Sequence, residues 1–282
     1  MFQITQPPRY RLRQGPLVQA LVQVRFPLVP PFQTLSGVAG LQEALAKRLP
    51  YLEAQQVQRI GIAFGASRVE QSNAESDVMW KFTGDDPWTL VVDSGAAALF
   101  VNGEGYQGIE DFSERYSEVL AALYATGRIR RCDRLGVRYI NIAPTLLEDG
   151  RAWSRWFKSE FVGWVGGDIV QQGTRLLTSL AQVQLTAPPI GTYAGFPVGP
   201  EAWIRHGLLP PGTQIPLESG IPRQLQQMSY VIDLDLFVQA PQPFDPHKLL
   251  GQFGALHDQI DAFFRWSLTP EGEQHFGLEA RE

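Results

Sequence analysis

The stretch SYVIDLDLFVQAPQPFDPHKLLGQFGALHDQIDAFFRWSL, residues 229–268, decides the fold because it joins a strand pattern to a long helix pattern. Apolar and acidic residues alternate in its first part, which predicts a strand with Ile232 and Leu234 on the buried face. After a proline-rich turn, apolar residues such as Leu256 and Ile260 recur at helical spacing. A strand, a turn and a long helix are therefore predicted near the end of the chain.

The first half of the chain shows the same order of patterns. The stretch PLVQALVQVRFP, residues 16–27, alternates and predicts a strand with Val18 and Ala20 on its inner face. Residues 108–127 predict an amphipathic helix with acidic residues in its first turn and a glycine at its end. Residues 131–144 then return as a strand.

Strands and long helices in this order indicate an α+β fold, a mainly antiparallel sheet with long helices packed on one face. We predict two similar strand-rich halves, 1–145 and 146–282, each ending in a long helix and packed together as one compact unit. Residues 153–165 predict a further helix and 174–188 a strand. The segment 188–223 is rich in proline and glycine, and its strands stay unassigned.

The amino-acid composition limits the classes of function that the protein can have. Apolar residues make up 44% and charged residues 19%, which favours a packed protein, and the net charge of −5 gives no general attraction to nucleic acid or to an anionic membrane. No segment approaches the roughly 18 apolar residues of a membrane span, and no signal peptide is recognised, so a cytoplasmic location is predicted. Cys132 is the single cysteine, which excludes an intramolecular disulfide and a cysteine-based zinc site. No cofactor is expected.

Three motifs together resemble a sporadically distributed, uncharacterised prokaryotic protein family. Its members show an N-terminal strand like PL-x-E-V, a central R-x-G-x-R-Y-x-N strand and a C-terminal LH-x-x-I-x-x-F helix, which correspond to Pro16–Pro27, Arg134–Asn141 and Leu256–Thr269. Gln19 departs from the pattern, because an acidic residue is usual there. The resemblance implies no catalytic residues, and the family's scattered distribution resembles that of mobile-element or phage-defence genes.

An arginine-rich strand is the first candidate site. Arg130 and Arg131 follow a predicted helix end, and Arg134 and Arg138 lie four residues apart on one face of the next strand. Because guanidinium forks grip phosphate and carboxylate groups, these four residues are candidates for binding an anion or nucleic acid. A structural alternative is that Arg134 and Arg138 pair across the sheet with the aspartates of VIDLDLF.

Those aspartates give the second candidate. Asp233 and Asp235 share a strand face about 7 Å apart, a distance at which paired carboxylates hold Mg²⁺ in phosphoryl-transfer sites. With His257 they form a candidate metal site for a nuclease or hydrolase. The alternatives are a solvated strand face for the aspartates and a histidine that donates a hydrogen bond at the edge of the core.

Aromatic residues cluster in AWSRWFKSEFVGWVGG, and Trp153, Trp156 and Trp164 are its tryptophans. If exposed, they would form a surface for docking a partner, whereas if buried they would belong to the core. Neither a G-x-S-x-G nucleophile motif nor a phosphate-binding loop is found, and Cys132 is a nucleophile only if its neighbouring arginines lower its pKa.

These observations favour a non-catalytic binding or regulatory protein that recognises a protein partner or forms a homo-oligomer. Binding of nucleic acid or a nucleotide through the arginine-rich strand is the second hypothesis. A metal-dependent nuclease or hydrolase is the third.

Overall fold

A single nine-stranded antiparallel sheet forms the centre of the computed structural model, which describes residue 2 and residues 10–59, 62–64, 69–71, 75–144, 152–166, 176–187 and 195–280. From one edge to the other, the strands are β11 (Ser179–Thr186), β12 (Glu201–Leu209), β15 (Ser229–Val238), β10 (Arg134–Pro144), β2 (Leu17–Arg25), β8 (Ala96–Asn102), β7 (Trp88–Val92), β6 (Glu75–Thr83) and β3 (Tyr51–Arg59).

Among the described residues, four two-stranded ribbons accompany the large sheet. They are β1 (Tyr10–Leu12) with β17 (Leu278–Ala280), β4 (Ile62–Phe64) with β5 (Val69–Gln71), β9 (Arg131–Cys132) with β16 (Gln242–Pro243), and β13 (Gln214–Ile215) with β14 (Arg223–Gln224). The first of these ribbons ties the beginning of the chain to its end.

The helices pack on one face of the sheet. They are α1 (Leu35–Leu45), α2 (Ile109–Ala125), α3 (Ala152–Trp156), α4 (Ser159–Val162), α5 (Pro246–Ser267) and α6 (Pro270–His275). The predicted α+β fold with a mainly antiparallel sheet is thus confirmed. Among the helices of the described residues, not one combines the length and the apolar character that a membrane crossing demands.

Sequence signals explain where the two long helices begin. Asp245 caps α5 by accepting hydrogen bonds from the backbone N–H groups of His247 and Lys248. Pro246 is the first residue of the helix, a position that proline favours. Glu110 and Asp111 place negative charge in the first turn of α2, where the helix dipole favours it.

The core lies between the helices and the inner face of the sheet. Alternate residues of each central strand point into it, as Val22 of β2, Val137 of β10 and Leu234 of β15 do. The two long helices meet there, where the ring of Phe253 on α5 lies 4.9 Å from that of Phe112 on α2. The apolar faces of the helices and of the strands therefore form one buried layer.

Val18 is an exception to the predicted alternation in β2. The register with β10 shifts between Ile140 and Asn141, so that Val18 is an extra residue in a β-bulge. Its side chain packs with Ile140 and Ile142 on the outer face, opposite the helices. Regular alternation with Leu21 directs the neighbouring Gln19 to the same face, where it is fully buried.

The element order repeats within the chain. A strand, one or two helices, several strands and a long helix run from β2 to α2 and again from β10 to α5. In this repeat β10 begins the second unit, whereas the sequence interpretation placed it in the half that ends at residue 145. The two units share one sheet, because β2 pairs with β10 and β10 with β15.

Two local predictions need correction. The helix predicted over 153–165 is interrupted after Trp156, because Phe157 forms a β-bridge with Leu268 and the Lys158 N–H donates to the Ser267 carbonyl. The segment left unassigned at 188–223 contains β12, which is a full strand of the central sheet.

Candidate functional site

The strand register brings the arginines of β10 beside the aspartates of β15 on the outer face of the sheet, opposite the helices. Arg138 donates to both carboxylate oxygens of Asp233 at 2.7 and 2.8 Å. Arg134 donates to both oxygens of Asp235 at 3.1 Å, and Arg205 of β12 reaches Asp233 from the other side, also at 3.1 Å. These five residues are called the ion-pair network below.

Burial governs the electrostatics of the network. It raises the pKa of Asp235 from its ordinary value, although the charges of Arg134 and Arg138 act in the opposite direction. Burial also opposes ionisation of Arg138, but its hydrogen bond to Asp233 and the charge of that carboxylate raise the pKa of the guanidinium. The forks of Arg134 and Arg138 are thus bound by carboxylates of the same chain, as the structural alternative predicted.

Two aromatic side chains flank the network. The guanidinium of Arg134 lies 4.4 Å from the ring centre of Phe237, and that of Arg205 lies 5.7 Å from the ring centre of Trp203. The two rings meet edge to face at 5.7 Å. Stacking of this kind holds the guanidinium planes in place and adds to their attachment.

A loop between β13 and β14 lies over the adjoining part of the outer face. The Glu218 backbone N–H donates to the Gln19 side-chain oxygen at 3.0 Å, and Ile215 and Leu225 pack against Ile140. Burial raises the pKa of the Glu218 carboxyl, whereas the nearby positive charges lower it. Gln19, at the position where an acidic residue was expected, is therefore a buried support for this loop.

Arg130 and Arg131 lie outside the network, in the segment between α2 and β10, where Arg131 begins β9. Arg130 stacks on the ring of Tyr124 at 4.2 Å and donates to the Tyr124 carbonyl. Arg131 forms a two-pronged contact with Asp133. The four arginines proposed as one anion site therefore belong to two separate places.

His257 lies on the other side of the sheet from Asp233 and Asp235. Its ring packs against Tyr139 of β10, and its Nε2 is 3.2 Å from the Tyr106 hydroxyl. This geometry gives the metal hypothesis no support, because strand alternation directs both aspartates away from the face that α5 covers. Over the described ranges, no group of three or more His, Cys, Asp or Glu side chains is placed to hold a metal ion.

The three tryptophans do not form one exposed surface. Trp153 is buried and donates its indole N–H to the Ala143 carbonyl, and Trp156 is buried and stacked on His275 at 3.7 Å. Trp164 alone of the three is exposed, at 66%.

Cys132, the candidate nucleophile, is buried, and burial raises the pKa of its thiol to about 12. The neighbouring arginines therefore do not make it a thiolate.

The edge strand β11 is a feature that the sequence interpretation recognised as a strand but not as a site. Leu180 and Val183 are 68% and 39% exposed, and most of the other side chains of β11 are exposed as well. The strand reads SLAQVQLT and contains neither charge nor proline. Its composition was the signal that could have identified it.

Backbone geometry shows which groups of β11 point outward. The Ala187 N–H donates to the Pro200 carbonyl at 2.9 Å, at the end of the β11–β12 register. Because hydrogen-bonded residues alternate along an antiparallel pair, the odd-numbered residues of β11 bond to β12. The N–H and C=O groups of Leu180, Gln182 and Gln184 therefore point to the outer edge, where no described strand lies.

No protein-family model matches the chain, and no curated protein matches it either.

Proposed function

We propose that this is a non-catalytic binding protein that recognises a protein partner by accepting a strand at β11. The observation that carries the proposal is an exposed, uncharged edge strand whose outward backbone groups lie beside exposed Leu180 and Val183. A partner strand added there would form hydrogen bonds with those N–H and C=O groups. The side chains of the partner strand would cover the exposed side chains of Leu180 and Val183. The protein would act in the cytoplasm.

The composition of β11 supports a binding role because native sheets protect their edges. Charged residues, prolines, bulges or a covering segment prevent unwanted strand pairing. The opposite edge strand, β3, carries the exposed and charged Glu53. By contrast, β11 has neither charge nor proline and remains exposed over most of its length.

The alternative functions receive less support from the geometry. Binding of nucleic acid by Arg134 and Arg138 would require an incoming phosphate to displace Asp235 or Asp233 from the forks that they occupy. A hydrolase built on those aspartates and His257 would need groups from both faces of the sheet.

Site-specific photocrosslinking tests the proposal. A photoreactive amino acid at Gln182 of β11 is compared with the same amino acid at Gln55 of β3, which is exposed on the opposite edge. In cells that produce the full chain, we expect a discrete crosslinked protein from position 182 and none from position 55. Equal or absent crosslinking at the two positions would overturn the proposed role of β11.

A further inference from the structure

We infer that the strand accepted by β11 is the β11 of a second copy of this chain, so that two sheets join across a two-fold axis. The inference rests on the proposed function of β11 as a strand-accepting edge. A two-fold axis perpendicular to the sheet turns β11 into its own antiparallel partner, which is the geometry of a closed, isologous dimer. The helices of both copies then cover the same side of one continuous sheet.

The side chains of β11 fit this symmetry. Two strands related by such an axis pair residues of equal parity, because directly opposite side chains lie on the same face. With the axis at Val183, this residue meets Val183 of the second copy, and Ala181 meets Leu185 of the second copy. On the outer face, the amide of Gln182 meets that of Gln184 of the second copy. At the centre of this register apolar residues thus face apolar ones and amides face amides, whereas Leu180 further out meets Thr186 of the second copy.

The backbone fits the same register. Leu180, Gln182, Gln184 and Thr186 are even-numbered and direct their N–H and C=O groups to the outer edge. In this register Gln182 exchanges both hydrogen bonds with Gln184 of the second copy, and Leu180 does so with Thr186 of the second copy. Val183 occupies a non-hydrogen-bonded pair, where opposite side chains come closest.

The absence of charge on β11 makes this edge compatible with a second copy as the occupant. The chain carries a net charge of −5, so two copies repel each other in general. A surface for self-association must therefore be free of like charges at the contact, and β11 contains no charged residue. The 39% exposure of Val183 and the 68% exposure of Leu180 leave apolar area for the second copy to cover.

Charge substitutions at the two-fold position test the inference by sedimentation of the purified full chain. We expect the wild type to sediment with twice the chain mass. Val183→Lys and Val183→Glu each place like charges opposite one another and should weaken the dimer about 100-fold or more. A mixture of the two variants should restore it, because each lysine then meets a glutamate. Gln55→Lys on β3 is the matched control and should remain dimeric.

A cysteine at the axis gives a second readout that does not depend on affinity. Val183→Cys should form a disulfide-linked dimer under mild oxidation, whereas Gln55→Cys should not, and the native Cys132 is buried. A wild-type chain of single mass, together with no linked dimer from Val183→Cys, would overturn the self-pairing. If photocrosslinking from Gln182 nevertheless gives a product with another protein, the proposed function stands and only the identity of the partner is wrong.

Discussion

Asp233 accepts hydrogen bonds from two arginines that approach it from the strands on either side of β15. The carboxylate is nearly buried, with 10% of its side chain exposed, so the two guanidinium groups replace most of its contact with water. The same bonds occupy the guanidinium groups that a ligand phosphate would need. At the scale of single residues, the network therefore links β10, β15 and β12 through their side chains.

Removal of Arg138 should destabilise the protein because it leaves Asp233 with one cationic partner. We expect Arg138→Ala to lower the free energy of unfolding by about 2–3 kcal/mol, less than a fully buried pair would cost, since Arg205 remains. Arg131→Ala is the control, because its side chain is 57% exposed, and it should change stability by less than about 0.5 kcal/mol. Urea unfolding measures both. A stable Arg138→Ala variant that loses binding to nucleic acid would support the second hypothesis instead.

His206 gives the protein a dependence on pH. Its Nδ1 lies 2.8 Å from the Tyr230 hydroxyl, whose proton is donated to the Phe161 carbonyl, so the histidine is the donor in this pair. Burial lowers the pKa of His206. Its stabilising contribution is therefore complete above the unfolded-state pKa of about 6.5 and is lost as the pH falls through the lowered folded-state value.

We expect the melting temperature to fall between pH 7 and pH 5, and His206→Phe should remove part of that fall. Phenylalanine can still stack on Phe161, as the imidazole does at 4.2 Å, and Tyr230 keeps its bond to the Phe161 carbonyl. Calorimetry across the pH range measures the difference. An unchanged pH slope in the variant would show that His206 does not cause it.

At the scale of elements, Gly207 sets how closely β11 approaches β12. A side-chain carbon at this position would lie 1.9 Å from the Ser179 carbonyl oxygen and 2.8 Å from the Leu180 Cα, so the edge strand would have to move. We expect Gly207→Ala to speed amide exchange in β11 while leaving α5 protected. Gly254→Ala in α5 meets no neighbouring atom within 4 Å and should be neutral or slightly stabilising. Hydrogen exchange followed by mass spectrometry compares the two variants, and unchanged exchange in β11 of Gly207→Ala would contradict this account.

Elements with an uninterrupted period were predictable from the sequence, whereas those decided by distant contacts were not. The periodicities of α2 and α5 identified both helices, and alternation identified β2 and β15. The break after Trp156 depends on Phe157 and Lys158 meeting residues 267 and 268, more than a hundred positions away. No local pattern contains that information.

The candidate site was likewise predictable from the sequence only in part. The pairing of Arg134 and Arg138 with Asp235 and Asp233 could be foreseen as an alternative, because both patterns place their side chains on one strand face. That His257 lies on the opposite side of the sheet could not be foreseen, since helix periodicity does not say which face a helix covers. The bulge at Val18 was equally hidden, because it arises from the register with β10.

At the scale of the whole molecule, the two units of the repeat should unfold together. The ladder between β2 of the first unit and β10 of the second runs over eight residue pairs, and Phe253 of α5 packs on Phe112 and Tyr116 of α2. We expect Phe253→Ala to lower the free energy of unfolding by about 3–5 kcal/mol. The variant should still unfold in a single transition, at a lower midpoint than the wild type. Circular dichroism and tryptophan fluorescence should report the same midpoint. Two separate transitions would show that the units are independent.

The central claim is that the outer edge of β11 accepts the β11 strand of a second copy of the chain. Residue-resolved amide exchange in the concentrated, purified chain tests it most directly, with Val183→Lys as the reference. We expect Gln182 and Gln184, whose amides point outward, to be protected in the wild type and to exchange freely in the variant. The amides of Ala181 and Leu185, which bond to β12, should stay protected in both. Rapid exchange at Gln182 and Gln184 in the wild type, equal to that in the variant, would contradict the claim.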